Sequence, residues 1–164
     1  MEEDGHIPEP GADRRGGRSA AGPILLVEDS EDDVVLTRRA FARSGFDNPV
    51  VAVADGEQCL AALLPQPGGD ALRPALVLLD LNLPRIGGLE VLGRLRADPR
   101  TRPVPVVILT TSRDRRDILD GYLLGANGYV CKPVSYSRFL DLARALGSYW
   151  LTVNEPCPAP GAPP

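Results

Sequence analysis

The chain has 164 residues, a formal charge of −4 and 43% hydrophobic residues. These values fit one folded domain, exclude a wholly disordered protein and argue against a nucleic-acid binder, which needs clustered Lys and Arg. No apolar run approaches the roughly 20 residues of a membrane-spanning helix, and the acidic start of the chain lacks the features of a secretory signal. We therefore expect a cytoplasmic protein that has neither DNA nor a membrane as its partner.

Both ends of the chain differ in composition from its middle. Residues 1–22 are rich in glycine and poor in apolar side chains, and residues 156–164 are rich in proline. Such segments bury too little apolar surface to offset the entropy that is lost on ordering. We predict a disordered N-terminal tail at 1–22, one folded domain at 23–153 and a Pro-rich C-terminal tail at 154–164.

Within the predicted domain, short apolar segments alternate with segments of helical spacing. The five apolar segments, each a predicted strand, are Ile24–Val27, Val50–Val53, 75–79, 104–109 and Gly128–Cys131. The first predicted helix begins after Ser30, which is placed as an N-cap, and ends at Gly45. The other four helices are predicted over 56–64, 88–96, 114–124 and 135–153.

The alternation of strands and helices predicts an α/β fold. Continuous apolar runs are typical of parallel strands that are covered on both faces. Five βα units with short connections predict a doubly wound, five-stranded parallel sheet of the flavodoxin-like order 2-1-3-4-5, with helices on both faces. In such sheets, ligands bind beyond the carboxyl ends of the strands, so the residues at those ends are the candidates for a functional site.

Polar residues stand at the carboxyl ends of four of the five predicted strands. Glu28 and Asp29 follow the first strand, and Asp80 follows the third. Thr110 ends the fourth strand, and Lys132 follows the fifth. Each residue alone has an ordinary explanation, such as a helix start or a polar turn. Their arrival at one edge of the sheet favours a shared site.

The three acidic residues of this set predict a Mg²⁺ site. Crowded carboxylates repel one another unless a cation neutralises them. Mg²⁺ prefers oxygen ligands and usually keeps several waters, so a few protein oxygens are sufficient. The side chain of Asp80 and the backbone carbonyl of Asn82 are placed to face one such ion, and Pro84 makes the exit of that turn rigid.

Four motifs, in order along the domain, resemble the CheY-like receiver domain of two-component response regulators. They are Leu-Val-Glu-Asp at 26–29, Leu-Asp-Leu-Asn-Leu-Pro at 79–84, Leu-Thr at 109–110 and Gly-Tyr-Val-Cys-Lys-Pro at 128–133. The resemblance is closest to the single-domain receivers that are paired with phytochrome-type histidine kinases. The acidic opening at 28–33, the Leu-Thr-Thr-Ser segment at 109–112 and the ending at 148–153 carry this closer likeness.

The resemblance implies a single-domain response regulator in which Asp80 accepts a phosphoryl group from a sensor histidine kinase. The protein would be a stoichiometric phosphoacceptor rather than an enzyme, with Mg²⁺-dependent self-phosphorylation and autodephosphorylation. Asp29, Asp80 and the backbone carbonyl of Asn82 would hold the Mg²⁺, and Glu28 would act through a metal-bound water. Lys132 would supply a second positive charge beside the phosphoryl group.

The same resemblance assigns a conformational switch to two residues. Thr110 would read the phosphoryl group by moving its hydroxyl toward Asp80, and Tyr129 would move inward behind it. Tyr129 can equally be an ordinary half-buried strand aromatic, and the sequence leaves both interpretations open. The Lys132–Pro133 bond is a candidate for cis geometry, which would aim the lysine inward.

We expect the output to pass through contact with other proteins, because the residues after Pro133 fit one helix and a tail. Tyr136, Leu140 and Tyr149 add apolar area around that last helix. We therefore predict a homodimer through the fourth helix, the fifth strand and the fifth helix.

Other function classes are weighed against this one. A haloacid-dehalogenase-like phosphatase also uses an aspartate after a strand, but it needs a second acid at the position of Asn82. A dinucleotide-binding enzyme needs a G-x-G-x-x-G motif where Glu28 and Asp29 stand. A degenerate receiver that acts as a phosphorylation-independent scaffold is disfavoured because all the expected site residues are present.

Overall fold

The computed structural model describes residues 22–158. The predicted disordered tail at 1–22 lies outside the described residues except for Gly22, and the predicted Pro-rich tail lies outside them from residue 159 onward. The strands are β1 (Ile24–Val27), β2 (Val50–Val53), β3 (Leu76–Leu79), β4 (Val106–Thr110) and β5 (Gly128–Cys131). The helices are α1 (Glu31–Arg43), α2 (Gly56–Leu63), α3 (Gly88–Ala97), α4 (Arg115–Leu123) and α5 (Tyr136–Gly147), followed by a π-helical turn (Ser148–Val153).

The five strands form one parallel sheet in the order β2-β1-β3-β4-β5, which confirms the predicted fold and strand order. Val27, the last residue of β1, pairs with Leu79, the last residue of β3. Glu28 and Asp80 therefore leave the sheet side by side. Thr110, the last residue of β4, pairs with Cys131 at the end of β5, so Lys132 leaves the same edge.

The sheet is covered on both faces, because alternate residues of the central strands enter two separate apolar clusters. Leu26, Leu78 and Leu109 point to the face covered by α1 and α5. Val27 and Leu79 point to the face covered by α2 and α3. Burial on both faces explains why β1 and β3 are apolar at every position. It also fixes the strand ends rigidly, which positions the residues that follow them.

Helix starts are set by short polar side chains, as the sequence predicts for α1. The Oγ of Ser30 accepts a hydrogen bond from the backbone N–H of Asp33 at 3.3 Å. Asp55, Asp114 and Ser135 cap α2, α4 and α5 in the same way. These caps satisfy backbone N–H groups in the first turns of four of the five α-helices; α3 begins after Gly87 without a side-chain cap.

The end of the chain corrects one prediction. Residues 135–153 are not one α-helix, because α5 ends at Gly147 and a π-helical turn follows. The backbone N–H of Asn154 donates to the carbonyl of Tyr149 at 2.7 Å, five residues back. This wider turn shifts the apolar face by one residue, so that Leu151 is fully buried and Trp150 is only partly buried.

No helix within residues 22–158 is long and apolar enough to span a membrane.

Candidate functional site

Three carboxylates meet at the carboxyl edge of the sheet, as the strand ends predict. Glu28 and Asp29 follow β1, and Asp80 follows β3. One carboxylate oxygen from each lies within 4.8 Å of the other two. Glu28 and Asp80 are buried, whereas Asp29 is exposed. The cluster therefore has a closed side within the sheet and an open side toward solvent.

The ammonium of Lys132 stands against this cluster and donates to three carboxylates. Its Nζ lies 2.5 Å from Oε2 of Glu28, 2.9 Å from Oδ2 of Asp80 and 2.8 Å from Oδ2 of Asp33. The side chain of Lys132 is 9% exposed, and those of Glu28 and Asp80 are 2% and 8% exposed. An ammonium has three N–H donors, and these three contacts use all of them.

Burial and the neighbouring charges shift the pKa values of Lys132 and Glu28. Burial lowers the pKa of Lys132, but its hydrogen bonds to Asp33, Glu28 and Asp80 outweigh that effect and raise the pKa above its ordinary value. Burial raises the pKa of Glu28, and the hydrogen bond from Lys132 opposes that rise. Lys132 is therefore a permanent cation at neutral pH, and its hydrogen bond limits the rise in the pKa of Glu28 that burial causes.

Asp33 is the contact that sequence reasoning missed. It lies in the first turn of α1, where the pattern Ser30-x-x-Asp33 has a sufficient explanation as a helix N-terminus. That pattern says nothing about a lysine 99 residues away. The signal that could have found it is proximity: α1 begins two residues after Asp29, so its first turn, which holds Asp33, starts close to the acidic pair. Asp33 thereby extends the site from the sheet edge onto α1.

The loop after β3 fixes the orientation of the Asp80 carboxylate. Its Oδ1 accepts a hydrogen bond from the backbone N–H of Asn82 at 3.1 Å, while Oδ2 faces Lys132. Gly88 at the start of α3 packs so closely on this loop that a Cβ there would lie 2.2 Å from the carbonyl oxygen of Asp80. Only glycine permits that approach. Both oxygens of Asp80 are thus held before any ligand arrives.

The Lys132–Pro133 peptide bond is trans, which makes the expectation of a cis bond wrong. Trans is the ordinary preference of X–Pro bonds. Lys132 leaves β5 beside Thr110, whose carbonyl accepts its backbone N–H at 2.8 Å. From that position the side chain reaches Asp80 with a trans bond, so no unusual peptide geometry is needed to aim it.

Thr110 and Tyr129 are linked through Ser112 rather than through the carboxylate cluster. Thr110 is fully buried, and its Oγ1 accepts a hydrogen bond from the backbone N–H of Ser112 at 3.4 Å. The hydroxyl of Tyr129 donates to the carbonyl of Ser112 at 3.1 Å. Burial raises the pKa of Tyr129, so its hydroxyl stays protonated at neutral pH. A shift of the segment after β4 would therefore be felt by both side chains.

The donor set at the sheet edge fits Mg²⁺. It offers three carboxylates within 4.8 Å of one another, and these are hard oxygen ligands. Asp29 supplies an exposed oxygen on the open side, where waters of the ion could remain. Sulfur and imidazole, which would favour other metals, are not among the three clustered ligands. The residues present therefore suit Mg²⁺ or a similar hard divalent cation.

Comparison with known proteins identifies the family. Residues 24–144 match the response regulator receiver domain. The chain belongs to this family. The match spans β1 through most of α5 and therefore includes every element that carries the clustered side chains. Among curated relatives, the probable methanogenesis regulatory protein FilR2 of Methanothrix harundinacea is 39% identical over 137 residues, which are 83% of this chain and 88% of FilR2.

The response regulator Rcp1 of Synechocystis is 37% identical over 135 residues, or 81% of this chain and 92% of Rcp1. Its solved Mn²⁺-bound form has a TM-score of 0.77 at 34% identity and covers 84% of this chain and 99% of that one. The phosphorylated cyanobacterial phytochrome response regulator RcpA has a TM-score of 0.78 at 37% identity, with the same coverage. The resemblance to single-domain, phytochrome-associated receivers is thus confirmed.

Proposed function

We propose that Asp80 is the phosphoacceptor of a single-domain response regulator and takes its phosphoryl group from a phosphohistidine of a sensor kinase. One observation carries the proposal: the Asp80 carboxylate is held at the carboxyl edge of the sheet between a lysine ammonium at 2.9 Å and two further carboxylates that suit a divalent cation. Phosphoryl transfer asks a protein mainly for positioning and for neutralisation of charge, and this arrangement supplies both.

In the transfer, a carboxylate oxygen of Asp80 forms a bond to phosphorus while the phosphorus–nitrogen bond of the phosphohistidine breaks. The electron pair of that bond stays on the imidazole nitrogen, so no oxidant or further reactant is needed. Lys132 donates to the oxygens on which charge is spread. Asp29, Asp80 and the carbonyl of Asn82 would hold Mg²⁺, with Glu28 acting through a bound water; when bound, the ion supplies positive charge beside the phosphoryl oxygens.

The protein is then a stoichiometric acceptor, consumed once in each transfer, rather than an enzyme. Self-phosphorylation by small phosphoryl donors and autodephosphorylation by water would use the same side chains. Hydrolysis of the acyl phosphate restores the Asp80 carboxylate and releases inorganic phosphate. The open side of the cluster at Asp29 gives water a route to the phosphoryl group.

The switch would run from Thr110 through Ser112 to Tyr129. Phosphoryl oxygens at Asp80 would be charged acceptors, and hydrogen bonds to charged acceptors are stronger than hydrogen bonds between neutral groups. The buried hydroxyl of Thr110 would therefore gain by turning toward them. If Thr110 moves, the Ser112 segment bonded to it moves too, and with it the carbonyl that holds the hydroxyl of Tyr129. Tyr129 would thereby report the state of Asp80 on the α4–β5 surface.

Replacing Thr110 with Ala should leave phosphoryl acceptance within about twofold of wild type but weaken its read-out. The variant keeps the acidic cluster and Lys132 and loses only the hydroxyl donor. The factor by which phosphorylation strengthens partner binding should be about tenfold smaller in the variant than in wild type, which corresponds to the loss of one hydrogen bond. Sedimentation velocity of the phosphorylated and unphosphorylated forms measures that gain as self-association, with a second copy of the chain as the partner. The Thr110→Ser variant, which keeps the hydroxyl, should retain it, and an unchanged gain in the Ala variant would refute the switch.

We propose that the folded domain spans 23–153 and that the protein acts in the cytoplasm. We also propose that its phosphoryl donor is a phytochrome-type histidine kinase. The support is the likeness, over most of both chains, to the phytochrome response regulator RcpA. Output would pass through protein contact rather than DNA. Transfer from a purified phytochrome-type kinase tests the pairing, because a cognate receiver accepts the phosphoryl group faster than a receiver from an unrelated pathway.

We also propose a homodimer through α4, β5 and α5. Its support is a set of large apolar side chains that the fold leaves exposed on or beside these elements: Leu119, Tyr122, Leu123, Val134, Tyr136 and Tyr149. Exposed aromatic and other large apolar side chains are typical of interfaces. Sedimentation velocity at tens of micromolar, an order-of-magnitude choice, should give a dimer, and a monomer before and after phosphorylation would count against it.

The proposed function is tested most simply by Mg²⁺-dependent labelling with acetyl phosphate. A receiver should form one acid-stable, base-labile acyl phosphate per chain, and only when Mg²⁺ is present. A haloacid-dehalogenase-like phosphatase would instead release phosphate from many esters, and a scaffold would stay unlabelled.

A further inference from the structure

The hydrogen bonds of Lys132 leave no donor for a phosphoryl oxygen. Glu28, Asp33 and Asp80 each accept one bond from its Nζ, at 2.5, 2.8 and 2.9 Å. An ammonium has three donors. If Lys132 is to bind a phosphoryl oxygen at Asp80, one of these carboxylates has to leave.

Asp33 is the least constrained of the three. Glu28 is 2% exposed, and its second oxygen accepts the backbone N–H of Ser30 at 3.0 Å. Asp80 is 8% exposed and is held by Asn82 as well. The side chain of Asp33 is 36% exposed, and it lies outside the group of carboxylates that could share a metal ion.

The backbone of Asp33 is fixed independently of its side chain. Its N–H donates to Oγ of Ser30 at 3.3 Å, and its carbonyl accepts the hydroxyl of Thr37 at 2.8 Å. The carboxylate can therefore rotate away from Lys132 into solvent without unwinding α1. Water then replaces the lost hydrogen bond at little cost, which is not true for a buried carboxylate.

We infer that Asp33 is a displaceable positioning residue for Lys132. Before transfer, its carboxylate holds the ammonium at the acceptor site; during transfer, it gives up that N–H to a phosphoryl oxygen and turns toward solvent. The inference rests on the proposed function, since it concerns the same lysine and the same acceptor.

Charge supports this exchange. An incoming phosphoryl group carries negative charge toward a site that already holds four carboxylates, those of Glu28, Asp29, Asp33 and Asp80, and one ammonium. Like charges at such short range repel. Asp33 adds to that repulsion without offering a bond to the phosphoryl group. Neutralising it should therefore speed phosphorylation, whereas loss of a residue needed for structure would slow it.

The test is the initial rate of Mg²⁺-dependent phosphorylation of Asp33→Asn by acetyl phosphate. We expect an increase of about three- to tenfold, the range for one partly screened charge. Asp32→Asn is the matched control, because it removes the same charge from the preceding residue of α1, for which no hydrogen bond or ion pair to Lys132 is found among the described residues. The control should stay within about twofold of wild type.

Two further measurements separate displacement from a change in structure. The increase should be larger for acetyl phosphate than for the less negatively charged phosphoramidate, because the repulsion scales with donor charge. Asp33→Glu should restore the wild-type rate. Asp33→Ser, a second neutral variant, replaces Asp33→Asn if thermal unfolding shows that the latter is not folded.

Each result decides between the two claims. A wild-type protein that takes no label refutes the proposed function itself. A labelled wild type with Asp33→Asn equal to Asp32→Asn, or slower than wild type, or accelerated equally for both donors, refutes only the displacement of Asp33.

Discussion

Replacing Asp80 with Asn is expected to abolish phosphoryl acceptance. The amide is close in shape to the carboxylate, so the packing of the β3–α3 loop should be kept, but a neutral amide is a far poorer nucleophile and no longer offers a charged oxygen to a cation. The initial rate with acetyl phosphate and Mg²⁺ should fall on the order of a thousandfold or more, as happens when a nucleophile is removed.

The control for this variant is Asp141→Asn, which removes a carboxylate of the same kind from the exposed surface of α5. It should take label at the wild-type rate, because its ion pair with Arg144 is an exposed surface contact on α5. Label retained by the Asp80 variant, at the same position and in the same amount as in wild type, would end the assignment of the acceptor.

Replacing Lys132 with Ala should destabilise the protein in the absence of divalent cations. The substitution leaves the nearly buried carboxylates of Glu28 and Asp80 without the cation that neutralises them. Breaking a buried ion pair by removing one partner costs about 3–5 kcal/mol. Because Asp33 and Asp29 stay in contact with solvent, we expect the lower part of that range, a loss of about 3 kcal/mol in the free energy of unfolding. Urea denaturation in a chelating buffer measures it.

The pH dependence of this loss has a definite sign. In the variant, burial raises the pKa of Glu28 without the opposing hydrogen bond from Lys132, so the folded state takes up a proton more readily than the unfolded chain as the pH falls and regains stability. In the wild type, the raised pKa of Lys132 means that its contribution is complete below the ordinary lysine pKa and is lost only as the pH rises through the folded value. The difference between the two proteins should therefore shrink toward acid pH.

Two controls accompany the lysine variant. Lys132→Arg keeps a cation and should recover most of the stability, although the guanidinium does not reproduce the three contacts of the ammonium. Mg²⁺ should stabilise the Ala variant more than it stabilises wild type, because the carboxylates that have lost the Lys132 ammonium can bind the ion without a competing cation. A variant as stable as wild type in chelator at neutral pH would mean that Lys132 does not neutralise this cluster.

The fold is predictable from the sequence down to the strand order, because the patterns that determine it lie within short segments of the chain. Apolar runs in β1 and β3 with no polar interruption require cover on both faces, and the βα alternation then leaves few topologies. The end of α5 was not predictable in the same way. The hydrogen bonds of a π-helical turn reach five residues back instead of four, and the full burial of Leu151 follows only from the way α5 packs on the sheet.

The site was predictable in part for a similar reason. Glu28, Asp80 and Lys132 each end or follow a strand, so parallel strands carry them to one edge whatever the details of packing. Asp33 reaches that edge from a helix, and its contact with Lys132 depends on where α1 lies over the sheet. The trans bond before Pro133 was not predictable either, because the Lys-Pro motif alone does not determine whether that bond is cis or trans.

Direct mapping of the modified residue tests the central claim, which is that the fold gathers these side chains into one cation-dependent acceptor site. The protein is treated with acetyl phosphate with and without Mg²⁺, the acyl phosphate is reduced with borohydride to fix its position, and the peptides are sequenced by mass spectrometry. We predict that the reduced residue is Asp80 alone, and only in the sample with Mg²⁺. Modification at another carboxylate, or equal modification of Asp80 in chelator, would contradict the account.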